Sequence, residues 1–319
     1  MVYLILIECK NNYLNYFTFF KLFLIDFFII FDEYTLLKCL LSLLFILFKK
    51  YNMKLYSFKL ILAIGILVGL SSCSKKGCTD PTSLAFSAEA KKDDGSCTYP
   101  TSIKKALVFK KTATWCQYCG DWGTTYANNI SSTYAKAQVI TLHTNDDFES
   151  AEGDLIVDAL ASSGVPHFYV GTTDVPNSYS TLSNTVNTEL NEANDVALAM
   201  ESSVSGSSMD VKVQSQWQGS ASTNGVYYLA VYILEDGLIK AQTLPGGAID
   251  PSRIHNHVLR KEASSTAFGK QITINGKGFL ESFSIPLNST WVKANCYPVA
   301  VLWKKNGSDF SFVNLVVND

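Results

Sequence analysis

The spacing of apolar residues changes once along this chain, and that change limits what it can fold into. Between residues 103 and 193, short apolar runs alternate with segments whose apolar residues recur every three or four positions. Residues 103–109, 138–143 and 167–170 read as strands. Residues 121–136, 148–163 and 178–193 read as helices; the first carries Trp122, Tyr126, Ile130 and Tyr134 on one face and the last Leu182, Val186 and Leu190. Strands alternating with helices build βαβ units on a shared sheet. After residue 194 the period becomes two. Residues 196–204, 209–217, 226–234, 254–261, 279–285, 296–303 and 310–317 read as strands separated by Gly, Ser, Asn and Pro clusters. The pattern predicts an α/β domain over 103–194 and an all-β, immunoglobulin-like sandwich domain over 195–319.

The α/β part contains the sharpest local motif. Ala-Thr-Trp-Cys-Gln-Tyr-Cys-Gly, residues 113–120, follows the first strand and opens the first helix. Cys-x-x-Cys between a strand and a helix is the layout of a thioredoxin-like redox site. Backbone N–H groups at a helix start stabilise a thiolate there, which suits Cys116 as nucleophile and Cys119 as the resolving thiol. Trp115 then shields one side. Thioredoxin-like folds set a cis-proline opposite the cysteines at the start of the third strand, and Val165-Pro166 has that place in the order. The plainer reading is a trans proline that begins a strand. Val165 and Pro166 are the candidate substrate-binding residues beside Trp115.

The N-terminal region speaks to location. Residues 1–52 lack Gly, Ala, Pro and Arg. They read either as upstream sequence outside the true protein or as hydrophobic leader spans, which Lys21 and Asp26 interrupt. From Met53 the chain has a signal-peptide layout: Lys54 and Lys59, an apolar run over 60–70, then Leu70-Ser71-Ser72-Cys73. Those four residues match a bacterial lipobox, so residues 53–72 are expected to be cleaved and Cys73 to carry the lipid anchor. An exported protein meets an oxidising compartment, where disulfides persist. Residues 73–102 form a tether in which Cys78 and Cys97 bracket a polar loop. A bond between them restricts the unfolded chain by about 3 kcal/mol on the chain-entropy model. Asp80, Asp93 and Asp94 in that loop offer oxygens of the kind Ca²⁺ takes; the plainer reading is solvated acids on a stapled spacer.

The order of motifs resembles the Omp28-related outer-membrane lipoprotein family of Bacteroidetes. The resemblance rests on Thr112, residues 115–119, His143, Val165-Pro166, residues 232–237, Gln242 and residues 255–260. It implies a thioredoxin-like domain followed by a β-sandwich, and supplies no substrate. Lys110 and Lys111 stand where the family tends to have acids, and Gly120 where it tends to have proline.

Two functions follow. The first is a lipid-anchored thiol–disulfide exchanger acting on exported proteins that bear thiols or disulfides. The second is a binding lipoprotein of the outer membrane or cell surface with a structural Cys116–Cys119 bond. The expected place is the outer membrane, periplasmic face, since no acidic run follows Cys73. No cofactor is expected. A net charge of −2 gives no reason to expect nucleic acid as a partner. Zinc held by the two cysteines with His143 lacks a second cysteine pair. His255 and His257 sit on one strand face in this reading, without an acid at fixed spacing. His167 lies next to the candidate site, and Cys296 reads as a buried small hydrophobe.

Overall fold

The computed structural model describes residues 75–161, 164–219 and 223–317. Cys73 and the signal-peptide region lie outside them. The chain from Ser74 to Asp319 forms one compact unit. Its strands are β1 (Ala106–Thr112), β2 (Ala137–His143), β3 (His167–Val170), β4 (Thr173–Val175), β5 (Val196–Ser205), β6 (Ser208–Trp217) and β7 (Val226–Glu235). They continue with β8 (Leu238–Thr243), β9 (Ile249–His255), β10 (Val258–Glu262), β11 (Lys270–Ile272), β12 (Leu280–Pro286), β13 (Cys296–Asn306) and β14 (Asp309–Val317). Among the described residues three α-helices, α1 (Thr124–Thr133), α2 (Ala151–Ala159) and α3 (Tyr179–Leu190), lie before β5.

The expected pair of domains, α/β thioredoxin-like followed by immunoglobulin-like sandwich, is not what forms. The molecule is mostly β, and one mixed nine-stranded sheet draws on both halves of the chain in the order β14-β13-β7-β10-β2-β1-β3-β4, with β11 also on β7. The joint is β10. It runs parallel to β2, with Val258 opposite Thr141, and antiparallel to β7. Period analysis locates strands and says nothing about which strand sits beside which. Val258 and Leu259 are wholly buried because sheet continues on either side of them.

Alternation along the strands sorts side chains into separate cores. On β7, Leu229, Val231 and Ile233 face the three-stranded sheet β12-β6-β5, together with Val211, Val213 and Trp217. The opposite face of β7, with Tyr232 and Leu234, joins Phe109, Ile140, Ile156 and Trp303. There Phe109 stacks on Trp303 with ring centroids 6.3 Å apart. The large sheet is curled: Lys104 Nζ donates to the Val313 carbonyl at 2.9 Å, and the Thr172 hydroxyl donates to the Phe310 carbonyl at 3.2 Å. The wholly buried Asn314 amide stitches this seam, accepting from Lys105 N and donating toward the Ile103 and Val196 carbonyls. A third core lies under α1 and α3, against Ala106 and Val108 of β1.

Helix starts follow capping chemistry. Ser150 accepts from Gly153 N and Ser178 from Thr181 N. The first helix differs from its expected span. A π-turn over Cys119–Gly123, with Asp121 outside helical dihedrals, precedes α1. The expected single strand over 254–261 is two strands, β9 and β10, broken at Asn256 and His257, where His257 takes φ 58°. β4, β8 and β11 had no strand assigned in the sequence. They are short or polar: β8 reads Leu-Ile-Lys-Ala-Gln-Thr with exposed residues at its centre.

Candidate functional site

Cys116 and Cys119 are joined as a disulfide, their Cα atoms 5.2 Å apart. The Cys119 N–H points at Cys116 Sγ from 3.1 Å. Cys119 is wholly buried and Cys116 is 6% exposed. The Val165–Pro166 peptide is cis, and the Val165 carbonyl oxygen lies 3.6 Å from Cys116 Sγ. A disulfide sulfur has no proton to give, so this is a packing contact. Val165, Pro166 and the two cysteines therefore come together as the motif order suggested. Trp115 does not cover the bond. It is 52% exposed and its indole N–H donates outward to the Asn145 carbonyl at 3.1 Å.

A hairpin made of β8 and β9 covers the loop, and sequence reading missed it. Its centre is Gln242, 3% exposed. The Gln242 Nε2 lies within 3.2 Å of the carbonyl oxygens of Ala113, Thr114 and Cys116. Thr243 N donates to the Thr114 carbonyl at 2.8 Å, Gly246 N donates to Gln117 Oε1, and the Arg253 guanidinium donates to the Gly120 carbonyl. Gly120 is needed here: a Cβ on it would stand 2.7 Å from Gln242 Cγ and 2.7 Å from the Thr243 carbonyl oxygen. Gly123 is needed for the same reason on the other side, where a Cβ would meet Pro166 Cβ at 2.8 Å.

Asp146 organises the far side of the loop and carried no signal in the sequence. Its Oδ2 accepts from Thr114 N at 2.8 Å and lies 2.8 Å from His143 Nδ1, while Oδ1 accepts from Phe148 N. Burial pushes the Asp146 carboxyl up, but His143 and the two backbone N–H groups outweigh it and hold the group below its usual value. Burial pushes His143 down, against the pull of Asp146, with Lys110 and Arg260 adding to the downward push. The neutral ring then gives its Nδ1 proton to Asp146, and Nε2 is left buried without a hydrogen bond.

The other candidates have structural duties. His167 Nε2 faces Asp174 Oδ1 at 2.6 Å, away from the disulfide. His255 packs edge-on against His143 and Phe148, whereas His257 Nδ1 meets the Tyr297 hydroxyl at 2.6 Å, so the two histidines do not share one face. The motif over 232–237 and the one over 255–260 hold each other. Arg260 Nε lies 3.2 Å from Glu235 Oε2, Asp236 Oδ1 accepts from His257 N at 2.6 Å, and Gly237 N donates to Asn256 Oδ1 at 2.9 Å. Cys78 and Cys97 are bonded. Around them Asp80 accepts from Thr82 and Tyr99, Asp93 from Gly95 N and Asp94 from Ser96 N, each acid closing its own turn. Among the described residues no three His, Cys, Asp or Glu side chains are grouped to hold a metal ion. Cys296 is a buried free thiol, pushed up to about 11 chiefly by burial. No helix of the described residues is long and apolar enough to cross a membrane.

Fold and site together define a mostly β protein with two disulfides among the described residues, one of them in the loop that follows the interior strand β1, beneath a hairpin. Residues 154–318 match the family described as Outer membrane protein Omp28, and the chain belongs to that family. Among solved structures it is similar to HBP35 of Porphyromonas gingivalis, with a TM-score of 0.58 at 16% identity over 69% of this chain and 76% of that one. At that identity the likeness is one of fold. A domain of the outer membrane lipoprotein Omp28 from Porphyromonas gingivalis also matches, at 19% identity over 40% of this chain and 88% of that one, with a TM-score of 0.27. No curated protein matches the chain.

Proposed function

We propose that this protein works by binding, as a lipid-anchored protein of the outer membrane, and that Cys116–Cys119 is part of its framework. The supporting observation is the Gln242 amide laid across three carbonyls of the cysteine loop. An exchanging disulfide must open, let one sulfur bond to a substrate, and close again. Here the loop is held by the hairpin at Thr114, Cys116, Gln117 and Gly120, and Cys119 has no exposed surface. Membership of an outer-membrane family and the lipobox at Cys73 support the location, and the short basic tether favours the periplasmic face. On this reading the partners are exported molecules held without turnover.

The test is redox chemistry on the purified protein. The expected result is no catalysed reduction of insulin disulfides, and a Cys116–Cys119 potential below about −300 mV, in the range of structural bonds. Turnover that Cys116→Ser abolishes would instead establish exchange with exported thiol proteins as the activity.

A further inference from the structure

On the α1 side of the large sheet, the helix stops short of the β8–β9 hairpin and leaves a cavity of about 440 Å³. Strand alternation carries Ala106, Val108 and then Lys110 onto that side, so a lysine forms the cavity floor where the third core ends. Lys110 is 7% exposed. The ammonium partner is the Thr124 hydroxyl, at 3.4 Å, which already donates its own proton to the Cys119 carbonyl at 2.8 Å. Among the described residues no carboxylate pairs with Lys110. A second cation, Arg253, lines the same cavity and acts on Lys110 as a like charge.

Arg253 is only partly neutralised. One of its nitrogens donates to the Gly120 carbonyl. Its Nε lies 3.8 Å from Asp250 Oδ2 and is buried without a hydrogen bond. Asp250 is itself engaged, accepting from Ser252 N at 3.1 Å. Two cations thus face the cavity against one carboxylate, and each has donor capacity to spare. Burying an ammonium without a counter-charge is costly. Burial, with Arg253 adding like charge, pushes Lys110 down to about 8. The rest of the lining is uncharged and mixed, with Asn128, Ser252, Asn256 and the imidazoles of His255 and His257, which burial holds below the usual histidine value, beside apolar side chains such as Val139. The volume lies in the range of small-ligand sites, and a bare inorganic anion would leave most of it unfilled.

We propose that this cavity binds a small hydroxylated organic anion, a sugar phosphate or sugar acid, with its acidic group between Lys110 and Arg253 and its hydroxyls on the amide-lined walls. The site is distinct from the disulfide and goes beyond the framework reading: a protein that did exchange disulfides would keep it.

The experiment is calorimetric titration of the purified protein with glucose 6-phosphate, glucuronate and glucose at one ionic strength set with chloride. The expected result is one-to-one binding of at least one anion, with glucose weaker by about tenfold or more. The better of the two anions assigns the headgroup as phosphate or carboxylate. Lys110→Met removes an unpaired buried charge and keeps side-chain length, so it is expected to fold and to lose about tenfold or more in affinity. Asn128→Asp adds a repelling carboxylate to the wall and is expected to weaken binding to a similar extent. The proposal is overturned if neither anion binds, if glucose binds as well as the anions, or if Lys110→Met and Asn128→Asp both titrate like the unaltered protein.

Discussion

Two interfaces of the large sheet are built in opposite ways. Where β7 and β13 meet the three-stranded sheet, the contact is dry: Val211, Val213, Trp217, Leu229, Val231 and Leu302 are all almost or wholly buried. Where β1 and β2 meet the β8–β9 hairpin, the contact is made by Gln242, Arg253, His255 and a buried lysine. The dry interface gains from area removed from water and asks little of geometry. The polar one gains only if every donor finds its acceptor, and a group left over has a high cost. The first stabilises the fold; the second specifies one arrangement of the cysteine loop and leaves charge available to a ligand.

The comparison can be broken in three places. The largest effect is expected at Trp303, which is wholly buried and stacks on Phe109 from the opposite half of the chain. Trp303→Ala is expected to cost about 3–5 kcal/mol in chemical denaturation. A loss under about 1 kcal/mol would mean the two halves do not share a core. Next is Lys110. Its folded value, about 8, lies below the ordinary 10.5. Between those values the unfolded chain holds the extra proton, so stability rises as pH climbs from about 8 to about 10.5. At pH 7 the lysine is a burden of about 3 kcal/mol, and Lys110→Met is expected to raise stability by roughly that amount, with the gain fading from about pH 8 upward and gone by about pH 10.5. A variant less stable than the parent at pH 7 would show that Lys110 has a counter-charge. The smallest effect is expected at Gln242. Gln242→Ala removes the side-chain amide from three carbonyls of the cysteine loop, each of which keeps a backbone donor (Cys116 N, Thr243 N and Gly120 N), at about 0.5–1.5 kcal/mol. It is also expected to make Cys116–Cys119 easier to reduce, read as a rise in its midpoint potential in a glutathione titration. An unchanged potential would separate the hairpin from the disulfide.

Much of the local structure was legible in the sequence and little of the tertiary plan. The strands over 138–143, 167–170 and 196–204 and the helix over 178–193 stand within a few residues of their expected places because their apolar period is strong and their caps are clear. Val165-Pro166 and the two cysteines were recognisable as a group from their order. Sheet order was not, because Val258 and Leu259 look the same whether they pair with β7 alone or with β2 as well. The hairpin was hidden for a different reason. β8 and β9 expose Ile239, Ile249 and Ile254 and bury Gln242, the reverse of the usual pattern. Lys110 was visible only as a departure from a family tendency; that it faces inward follows from counting alternate residues from Ala106, once β1 is known to extend to Thr112.

The position of β10 between β7 and β2 has a consequence for how the chain is made. A ribosome delivers β1, β2 and β3 long before residue 258. Until then one side of β2 is an open edge with unpaired N–H and C=O groups, next to Ile140 and Leu142, and an open apolar edge is a template for other chains. A nascent or truncated chain ending before Val258 therefore presents an aggregation-prone border that only distant residues can close. Such long-range closure also makes folding slow for the size of the molecule.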